Sequence, residues 1–301
     1  ASTYTPTSGT SATMYGVWDP NDYILTFNAN SGTLTGDETY TVTYDATLNN
    51  NLANYIPTKE GYTFAGWYTD ATNGVQVYNA NGQAVEGDYW AMSGSDLVWH
   101  HDGDVTLYAH WTARPYNVTT GISDGTASIT VADIGSYGVG LSISWAAKED
   151  TEQYTYTLDN VCVYAGTDTS GTLLATYTSG TSATYVMNGT YYPNIYIYAT
   201  HTATVNRYDV TIVSNNTTYG TVSVGQVNVP YGSVVQTDGN IITIGSETVT
   251  ATANTGYHFS SWTAPSTITG TTTITAVFAP DTDTAYTVRH YWQNIDDDGY
   301  T

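Results

Sequence analysis

One short sequence pattern occurs twice in this chain at a constant separation. Residues 13–18 read TMYGVW and residues 106–111 read TLYAHW, and a strand-like run that begins with tyrosine follows each copy. Three matched pairs of residues are each 93 positions apart, namely Met14 and Leu107, Trp18 and Trp111, and Tyr23 and Tyr116. A self-match at a fixed separation predicts a chain built from successive modules of similar structure.

The pattern continues along the chain with more variation. Two further runs begin at Tyr208 and Tyr286, which lie 92 and 78 residues after the preceding ones. An aromatic pair followed by tryptophan occurs at residues 61–67 and again at 256–262. The spacing predicts three modules, at residues 23–115, 116–207 and 208–280. The last strand of a preceding repeat and a linker are expected at residues 1–22, and a linker and the first strand of a following repeat at residues 281–301.

Composition predicts that these modules are mainly β. The 301 residues include 29 tyrosines and only 8 prolines, and apolar and polar residues alternate in runs such as 40–44 and 249–253. Alternation of period two is typical of antiparallel strands with one buried face. We therefore expect small β-sandwich-like modules in an extended array, each long enough to bury a core. One short helix is expected near residues 46–55.

Residues 23–112 resemble the Listeria–Bacteroides repeat, the B-repeat of internalin-type surface proteins. The resemblance rests on three segments, LTFNANSG at 25–32, PTKEGYTFAGWY at 57–68 and LYAHW at 107–111. Residues 208–280 are similar to a divergent relative of that repeat, and residues 286–301 resemble the start of a mucin-binding-type repeat. Residues 116–207 share only the ends of the module pattern with their neighbours.

The resemblance implies β-grasp-like modules of a bacterial extracellular protein at the cell surface, most often a stalk or an adhesin, without catalytic residues. The aromatic side chains of each repeat-like module are expected to fill one small core, and Trp18 is grouped with them. The predicted core of the first module consists of Tyr62, Phe64, Trp67, Tyr108 and Trp111. Its counterpart in the third module consists of Tyr257, Phe259, Trp262 and Phe278.

Charge excludes several classes of partner. The chain has 27 acidic and 5 basic residues, which gives a formal net charge of −22. Nucleic-acid binding needs clustered lysine and arginine to neutralise phosphates, so this function is excluded, and anionic lipid surfaces are disfavoured. No apolar run is long enough to insert into a membrane. An acidic, self-repelling chain suits an extended surface protein.

Few residues offer metal or cofactor chemistry. Residues 99–104 place two histidines beside two aspartates, without a third ligand at metal spacing. The candidate ligands for calcium lie in two acidic runs that lack the twelve-residue loop of a calcium-binding hand, and they are Asp281, Asp283, Asp296 and Asp298. No cofactor is predicted apart from calcium.

The single reactive side chains are predicted to be structural. Cys162 is the only cysteine, so no intrachain disulfide forms, and its apolar surroundings favour a buried strand position. Lys59 and Lys148 are the candidates for a cross-link to asparagine or aspartate, and a solvated surface position is favoured for both. Because no nucleophile–base pair, phosphate-binding loop or dinucleotide motif is recognised, no catalytic residue is expected.

Three functions remain open, and the favoured one is a non-enzymatic stalk or adhesin segment that spaces and presents binding domains of a large bacterial cell-surface protein. The first alternative is ancillary carbohydrate binding in a secreted polysaccharide-degrading enzyme, through exposed aromatics such as Trp90, Trp99 and Trp292. The second alternative is a self-assembling extracellular fibre joined through exposed strand edges. The predicted partners are host or environmental glycans, mucin, or neighbouring copies of the chain.

Overall fold

The computed structural model describes residues 8–9, 13, 15–47, 52–282 and 287–289. Strands make up nearly all of the regular structure, so the predicted mainly-β fold of several small sheets is confirmed. Within the described ranges the one helical element is a 3-10 turn at Leu52–Tyr55. It is shorter than the helix expected near residues 46–55, because Thr47 instead pairs with Val98.

Residues 22–113 form the first group of strands. These are β1 Asp22–Asn28, β2 Thr39–Thr43, β3 Tyr62–Tyr68, β4 Gln76–Asn79, β5 Trp90–Ser93, β6 Asp96–Trp99 and β7 Val105–Ala113. The main sheet has the order β2-β1-β7-β3-β4, and β5 and β6 form a separate hairpin. The first and last strands run parallel at the centre, and the other neighbours are antiparallel.

Alternation along the strands builds the core of the first group. Leu25 and Phe27 on β1 are buried, whereas the residues on either side of them are exposed or half-buried. The hairpin covers the same face of the sheet, because Trp90 and Trp99 belong to the hydrophobic cluster that contains Trp67. The main sheet and the hairpin therefore share one core.

Residues 115–205 form the second group of strands. These are β8 Pro115–Ile122, β9 Thr126–Thr130, β10 Ile134–Ser136, β11 Leu141–Ala147, β12 Tyr154–Ala165, β13 Leu173–Tyr177, β14 Ser182–Tyr185 and β15 Asn194–Val205. The main sheet has the order β10-β8-β15-β12-β13, and a second sheet has the order β14-β11-β9. The two sheets share one core, in which Ile143 and Trp145 meet Val161 and Ile197.

Residues 207–280 form the third group of strands. These are β16 Arg207–Ser214, β17 Gly220–Val222, β18 Gln226–Pro230, β19 Ser233–Asp238, β20 Ile241–Ile244, β21 Glu247–Ala253, β22 Tyr257–Thr263, β23 Thr267–Ile268 and β24 Thr272–Pro280. The sheets have the orders β18-β16-β24-β22 and β17-β21-β20-β19-β23. Val210 and Ile274 of the first sheet pack against Ile242 and Ile268 of the second.

One four-strand arrangement occurs in all three groups. It reads β2-β1-β7-β3, then β10-β8-β15-β12, then β18-β16-β24-β22, and in each case the two central strands are parallel. The middle group has this arrangement although its sequence carries no repeat motif. What covers the sheet differs, because the first group uses a 3-10 turn and a hairpin, the second a three-stranded sheet and the third a five-stranded sheet.

The groups follow one another with almost no connecting chain. Only Arg114 stands between β7 and β8, and only Asn206 stands between β15 and β16. Every strand pair among the described residues joins two strands of the same group. The division of the chain into separately folding modules remains a prediction.

Candidate functional site

Three of the five aromatic residues expected in the first core lie together. The ring centroid of Phe64 is 5.3 Å from that of Trp67 and 5.8 Å from that of Trp111. Trp67 is fully buried, and its indole N–H donates to the Tyr55 carbonyl at 3.1 Å. Tyr108 follows buried Leu107 on β7 and is only half-buried, since alternate strand residues occupy opposite faces. The fifth residue, Tyr62, packs against the core of the second group.

Three of the four residues expected in the counterpart core also lie together. Phe259 is 5.5 Å from Trp262 and 5.9 Å from Phe278 between ring centroids, and Phe278 is buried. The fourth residue, Tyr257, stacks on Tyr219 with a centroid distance of 4.3 Å. In each of the two sets the later aromatics of the motif pack together, although Phe259 and Trp262 are only half-buried, and the leading tyrosine makes its contact elsewhere.

The tryptophans expected as exposed sugar-binding platforms are buried. Trp90 is 1% exposed and Trp99 is 0% exposed, so that expectation was wrong for both. Their hairpin forms the second layer over the main sheet, and its tryptophans fill that layer. Trp18, grouped by its pattern with the core tryptophans, is 90% exposed, and Trp292 lies outside the described residues.

The histidine–aspartate run tethers a loop to the first strand. Asp102 accepts a hydrogen bond from the Tyr23 hydroxyl, and the Asp104 carboxylate accepts the Ile24 N–H at 2.8 Å. The two histidine rings pack on tyrosines, with centroid distances of 5.3 Å for His100 to Tyr44 and 4.5 Å for His101 to Tyr89. These contacts give the run a structural role.

A calcium site stays a prediction. Asp281 approaches the Nδ1 atom of His258 at 2.9 Å, whereas Asp283, Asp296 and Asp298 lie outside the described residues. In the part of the chain that the structure describes, no three side chains of histidine, cysteine, aspartate or glutamate are grouped to hold a metal ion.

The remaining reactive candidates fall in different settings. Cys162 is buried on β12, with its Sγ atom 3.3 Å from the Asn160 amide oxygen. Lys148 is exposed in the loop after β11. Lys59 is half-buried, and its ammonium lies 4.5 Å from the centroid of the Tyr62 ring.

The junction between the first and second groups is a packed interface. The rings of Tyr62 and Tyr137 meet edge to face at 5.4 Å between centroids. Gly61 has a φ of +72°, and a Cβ added there would stand 2.3 Å from the Tyr137 ring. Both the left-handed backbone and the close approach of the ring therefore require glycine at this position.

Polar contacts reinforce this first junction. The Arg114 guanidinium lies 4.0 Å from the centroid of the Tyr191 ring. The Tyr191 N–H donates to the Glu60 carboxylate at 2.6 Å, and the Tyr191 hydroxyl donates to the Pro115 carbonyl. Burial of the hydroxyl, with the Glu60 charge as a smaller cause, raises the pKa of Tyr137 above its ordinary value. The neutral phenol donates to the Gly189 carbonyl at 2.6 Å.

Sequence reasoning did not single out these junction residues. Gly61 and Tyr62 stood inside a recognised core motif, and Arg114 stood at the end of the first predicted module. Tyr137 and Tyr191 belong to the group without a family motif. The available signal was the Arg–Pro joint itself, because so short a connection forces the flanking strands together.

The second junction uses main-chain contacts more than rings. The Asn206 N–H donates to the Gln153 carbonyl at 2.9 Å, and its side-chain amide donates to the carbonyls of Thr151 and Glu152. The Tyr208 hydroxyl also donates to the Glu152 carbonyl, at 2.7 Å. The loop before β12 is thus fixed to the start of the third group.

A buried polar pair occupies the second group. The Nδ1 atom of His201 lies 2.7 Å from the Oγ1 atom of Thr126, and both residues are buried. The Ser123 hydroxyl accepts the His201 N–H at 3.0 Å. Burial disfavours the charged imidazole and lowers the pKa of His201, although the charge of Asp159 acts in the opposite direction.

The outer face of the middle sheet carries a pair of tyrosines. Tyr196 and Tyr198 are half-buried neighbours on β15, with ring centroids 6.1 Å apart and an interplanar angle of 18°. A Cβ added at Gly121 on the adjacent strand would stand 1.8 Å from the Tyr196 hydroxyl and 3.0 Å from the Tyr198 ring. Both tyrosines therefore lean over Gly121, which has no side chain to displace them.

Comparison with known proteins identifies the first group. Residues 23–89 match the family model of the Listeria-Bacteroides repeat domain, so the predicted resemblance is confirmed there. Internalin H of Listeria monocytogenes serovar 1/2a is 33% identical over 124 residues, which are 38% of this chain and 18% of that protein. A Gly-rich membrane protein of Evansella cellulosilytica is 27% identical over 107 residues, which are 35% of this chain and 10% of that protein.

These matches identify a repeat region of the kind found in internalin-like surface proteins. The aligned stretch spans less than a fifth of either relative's own length. Among the described residues, no helix combines the length and the apolar character that crossing a membrane requires.

Proposed function

We propose that this chain is a non-enzymatic segment of a bacterial cell-surface protein, in which tandem modules hold binding domains at a distance from the cell. One observation carries the proposal. In each group, the first and the last strand along the chain are parallel neighbours in one sheet. The chain therefore enters the group at one end of that sheet and leaves at the opposite end. Modules connected in this way follow one another lengthwise.

The short connections support a stiff array. A single residue separates successive main sheets, which leaves no flexible linker between the groups. The first junction adds the Tyr62–Tyr137 contact and the stacking of Arg114 on Tyr191. Reorienting the first two groups would separate these rings and expose the apolar surface that they cover.

The same features support a role without catalysis. The histidine–aspartate run is engaged in tethering a loop, and Cys162 is buried in a strand. The likeness of residues 23–89 to the repeat of internalin-type proteins supports a surface location. Turnover of any glycan by the purified chain, in an assay of product release from mucins and plant polysaccharides, would overturn this part of the proposal.

Small-angle X-ray scattering tests the spacing role. The chain is expected to give one elongated distance distribution, and Tyr62→Ser is expected to broaden it by loosening the first junction. Tyr257→Ser is the matched control, since Tyr257 is the equivalent tyrosine of the third group and stacks within that group. A compact distribution for the unmodified chain, or equal distributions for the two variants, would contradict the proposal.

A second candidate function rests on the Tyr196–Tyr198 pair. Parallel rings on an open sheet face suit stacking against the apolar faces of sugar rings, as ancillary carbohydrate binding would require. Affinity electrophoresis in gels containing xylan or soluble cellulose tests this function. Retardation that is lost in Tyr198→Ser favours it, and unretarded migration of the unmodified chain rejects it.

A further inference from the structure

One cleft in the first group is lined by two basic residues, in contrast to the acidic character of the chain as a whole. It has a volume of about 600 Å³ and lies between the turn before β3 and the end of β7. Lys59 and Arg114 both line it, and no aspartate or glutamate does. In a chain with 5 basic and 27 acidic residues, two cations in one concave site without a carboxylate are a marked local reversal of charge.

Lys59 is held against an aromatic wall. Its ammonium lies 4.5 Å from the centroid of the Tyr62 ring and 5.7 Å from that of the Trp111 ring. No carboxylate among the described residues forms an ion pair with it. The neighbouring Glu60 is engaged elsewhere, because its carboxylate accepts the Tyr191 N–H across the junction. The ammonium therefore keeps donors available for an anion.

The aromatic wall is fixed in position. The Trp111 indole N–H donates to the carbonyls of Ala29 and Asn30, each at 3.1 Å. The Trp111 ring is partly buried, so one part supports the core and the remainder borders the cleft. Thr63 and Asn81 add a hydroxyl and an amide to the lining. The cleft thus combines cations, an aromatic surface and neutral hydrogen-bonding groups.

We propose that this cleft binds a terminal carboxylated sugar residue of a glycan. The sugar carboxylate would pair with the Lys59 ammonium and face the Arg114 guanidinium, since charged hydrogen bonds to these groups are the strong ones. The apolar face of the sugar ring would lie on Trp111, and its hydroxyls would bond to Thr63 and Asn81. A terminal acidic sugar fits better than a long acidic polysaccharide, because the net charge of −22 repels an extended polyanion.

This binding goes beyond the spacing role and is separable from it. Lys59 makes none of the contacts that join the first group to the second, whereas Tyr62 and Arg114 serve both the cleft and the junction. If the unmodified chain bound no acidic sugar but gave the expected elongated scattering profile, this proposal would be overturned and the spacing role would stand. A cleft of this kind binds weakly by itself, and repeated display on a cell surface would add avidity.

The test is a titration of the whole chain with two acidic probes and one neutral probe, monitored by nuclear magnetic resonance. Sialyllactose and a glucuronic acid-terminated xylo-oligosaccharide represent the two sources of a carboxylated sugar, and lactose is the neutral control. Saturable shifts of the Thr63 and Asn81 amides are expected with at least one acidic probe, and the probe that binds identifies the source. No saturable shift with either probe up to about 10 mM, or equal shifts with lactose, overturns the proposal.

Three lysine variants make the test specific. Lys59→Gln is expected to weaken binding about tenfold, and Lys148→Gln, which makes the same change in net charge at an exposed loop, is expected to leave it unchanged. Lys59→Arg keeps the charge and is expected to retain binding, which separates loss of the cation from loss of folding. Equal affinities of Lys59→Gln and the unmodified chain, or an affinity that does not fall when salt is added, would contradict the proposal.

Discussion

Trp67 shows how one side chain organises the first group. It is fully buried between Phe27 and Phe64, with ring centroid distances of 4.8 Å and 5.3 Å. Its indole N–H reaches the carbonyl of Tyr55 at the 3-10 turn. The same ring therefore supports two strands and anchors the turn that covers the sheet.

Trp67→Ala is expected to lower the free energy of unfolding of the first group by about 3–5 kcal/mol, because the change removes a large packed ring. Native-state hydrogen exchange of the Leu25 and Phe27 amides measures the loss where it occurs. Trp18→Ala is the control, since Trp18 is 90% exposed and surface changes are usually within about 0.5 kcal/mol. Equal protection of these amides in the two variants would contradict a central role for Trp67.

His201 gives the second group a pH dependence. Its pKa is lowered in the folded chain, so the unfolded chain binds the proton more readily. The contribution of the neutral imidazole to stability is therefore fully present above about pH 6.5, the ordinary histidine value, and is lost as pH falls through the folded-state pKa.

Thermal unfolding measured from about pH 7.5 to about pH 5.5 checks this sign. The unmodified chain is expected to lose stability on acidification, and His201→Gln is expected to lose this part of the pH dependence. His258→Gln serves as the comparison, because His258 lies at an exposed position. A loss of stability on acidification that is no smaller in His201→Gln than in the unmodified chain would contradict this role of His201.

At the scale of strands, β3 and β22 are equivalent elements in different settings. Each pairs antiparallel with the last strand of its group, and each has a register shift at the same place, between Phe64 and Gly66 and between Phe259 and Ser261. On its other side β3 pairs with β4, whereas β22 has no further strand beside it in the described part of the chain.

This difference predicts uneven hydrogen exchange. In an antiparallel pair, alternate amides bond to the same neighbour. All the amides of residues 66–68 are expected to be protected, because those that face away from β7 face β4. In residues 261–263, the alternate amides that face away from β24 are expected to exchange close to the rate of the unfolded chain. Uniform protection along residues 261–263 would imply that something covers this edge.

The sequence predicted the strands better than it predicted what the side chains on them pack against. The alternation at residues such as 40–44 was enough to predict strands, and the 93-residue separation was enough to predict that their order repeats. Neither could predict that Tyr62 would pack against the second group, because its partner Tyr137 is 75 residues away. The burial of Trp90 and Trp99 was likewise unpredictable, since period-two aromatics can face either a core or solvent.

At the scale of the whole molecule, scarce basic residues limit attack by trypsin-like proteases. Arg207 lies on β16, where its guanidinium donates to Asn228. Arg114 stands between two strands at the packed junction and precedes Pro115. Lys148 is exposed in the loop between β11 and β12. Among residues 15–282, Lys148 is therefore the basic residue most open to a protease, because Lys59 in the turn before β3 is half-buried and its ammonium lies over the Tyr62 ring.

Limited trypsin digestion is expected to make its first cut within residues 15–282 after Lys148, because that loop can enter a protease site with little unfolding. Lys148→Gln should prolong the lifetime of the intact fragment several-fold, as followed by mass spectrometry. Early cleavage after Lys59 or Arg207 would instead indicate that the first or third group opens readily.

The parallel central strands also determine how the chain bears tension. A pull on the two ends of a group draws its first and last strands past each other, so their hydrogen bonds are loaded in shear and must break together rather than peel apart one by one. Single-molecule stretching should therefore give a separate force peak for each group, and smooth extension would contradict this. The parallel stretch of the middle group, Asn117–Ile122 against Asn194–Ala199, is the longest of the three. Under flow or traction the middle group would thus be the last to yield.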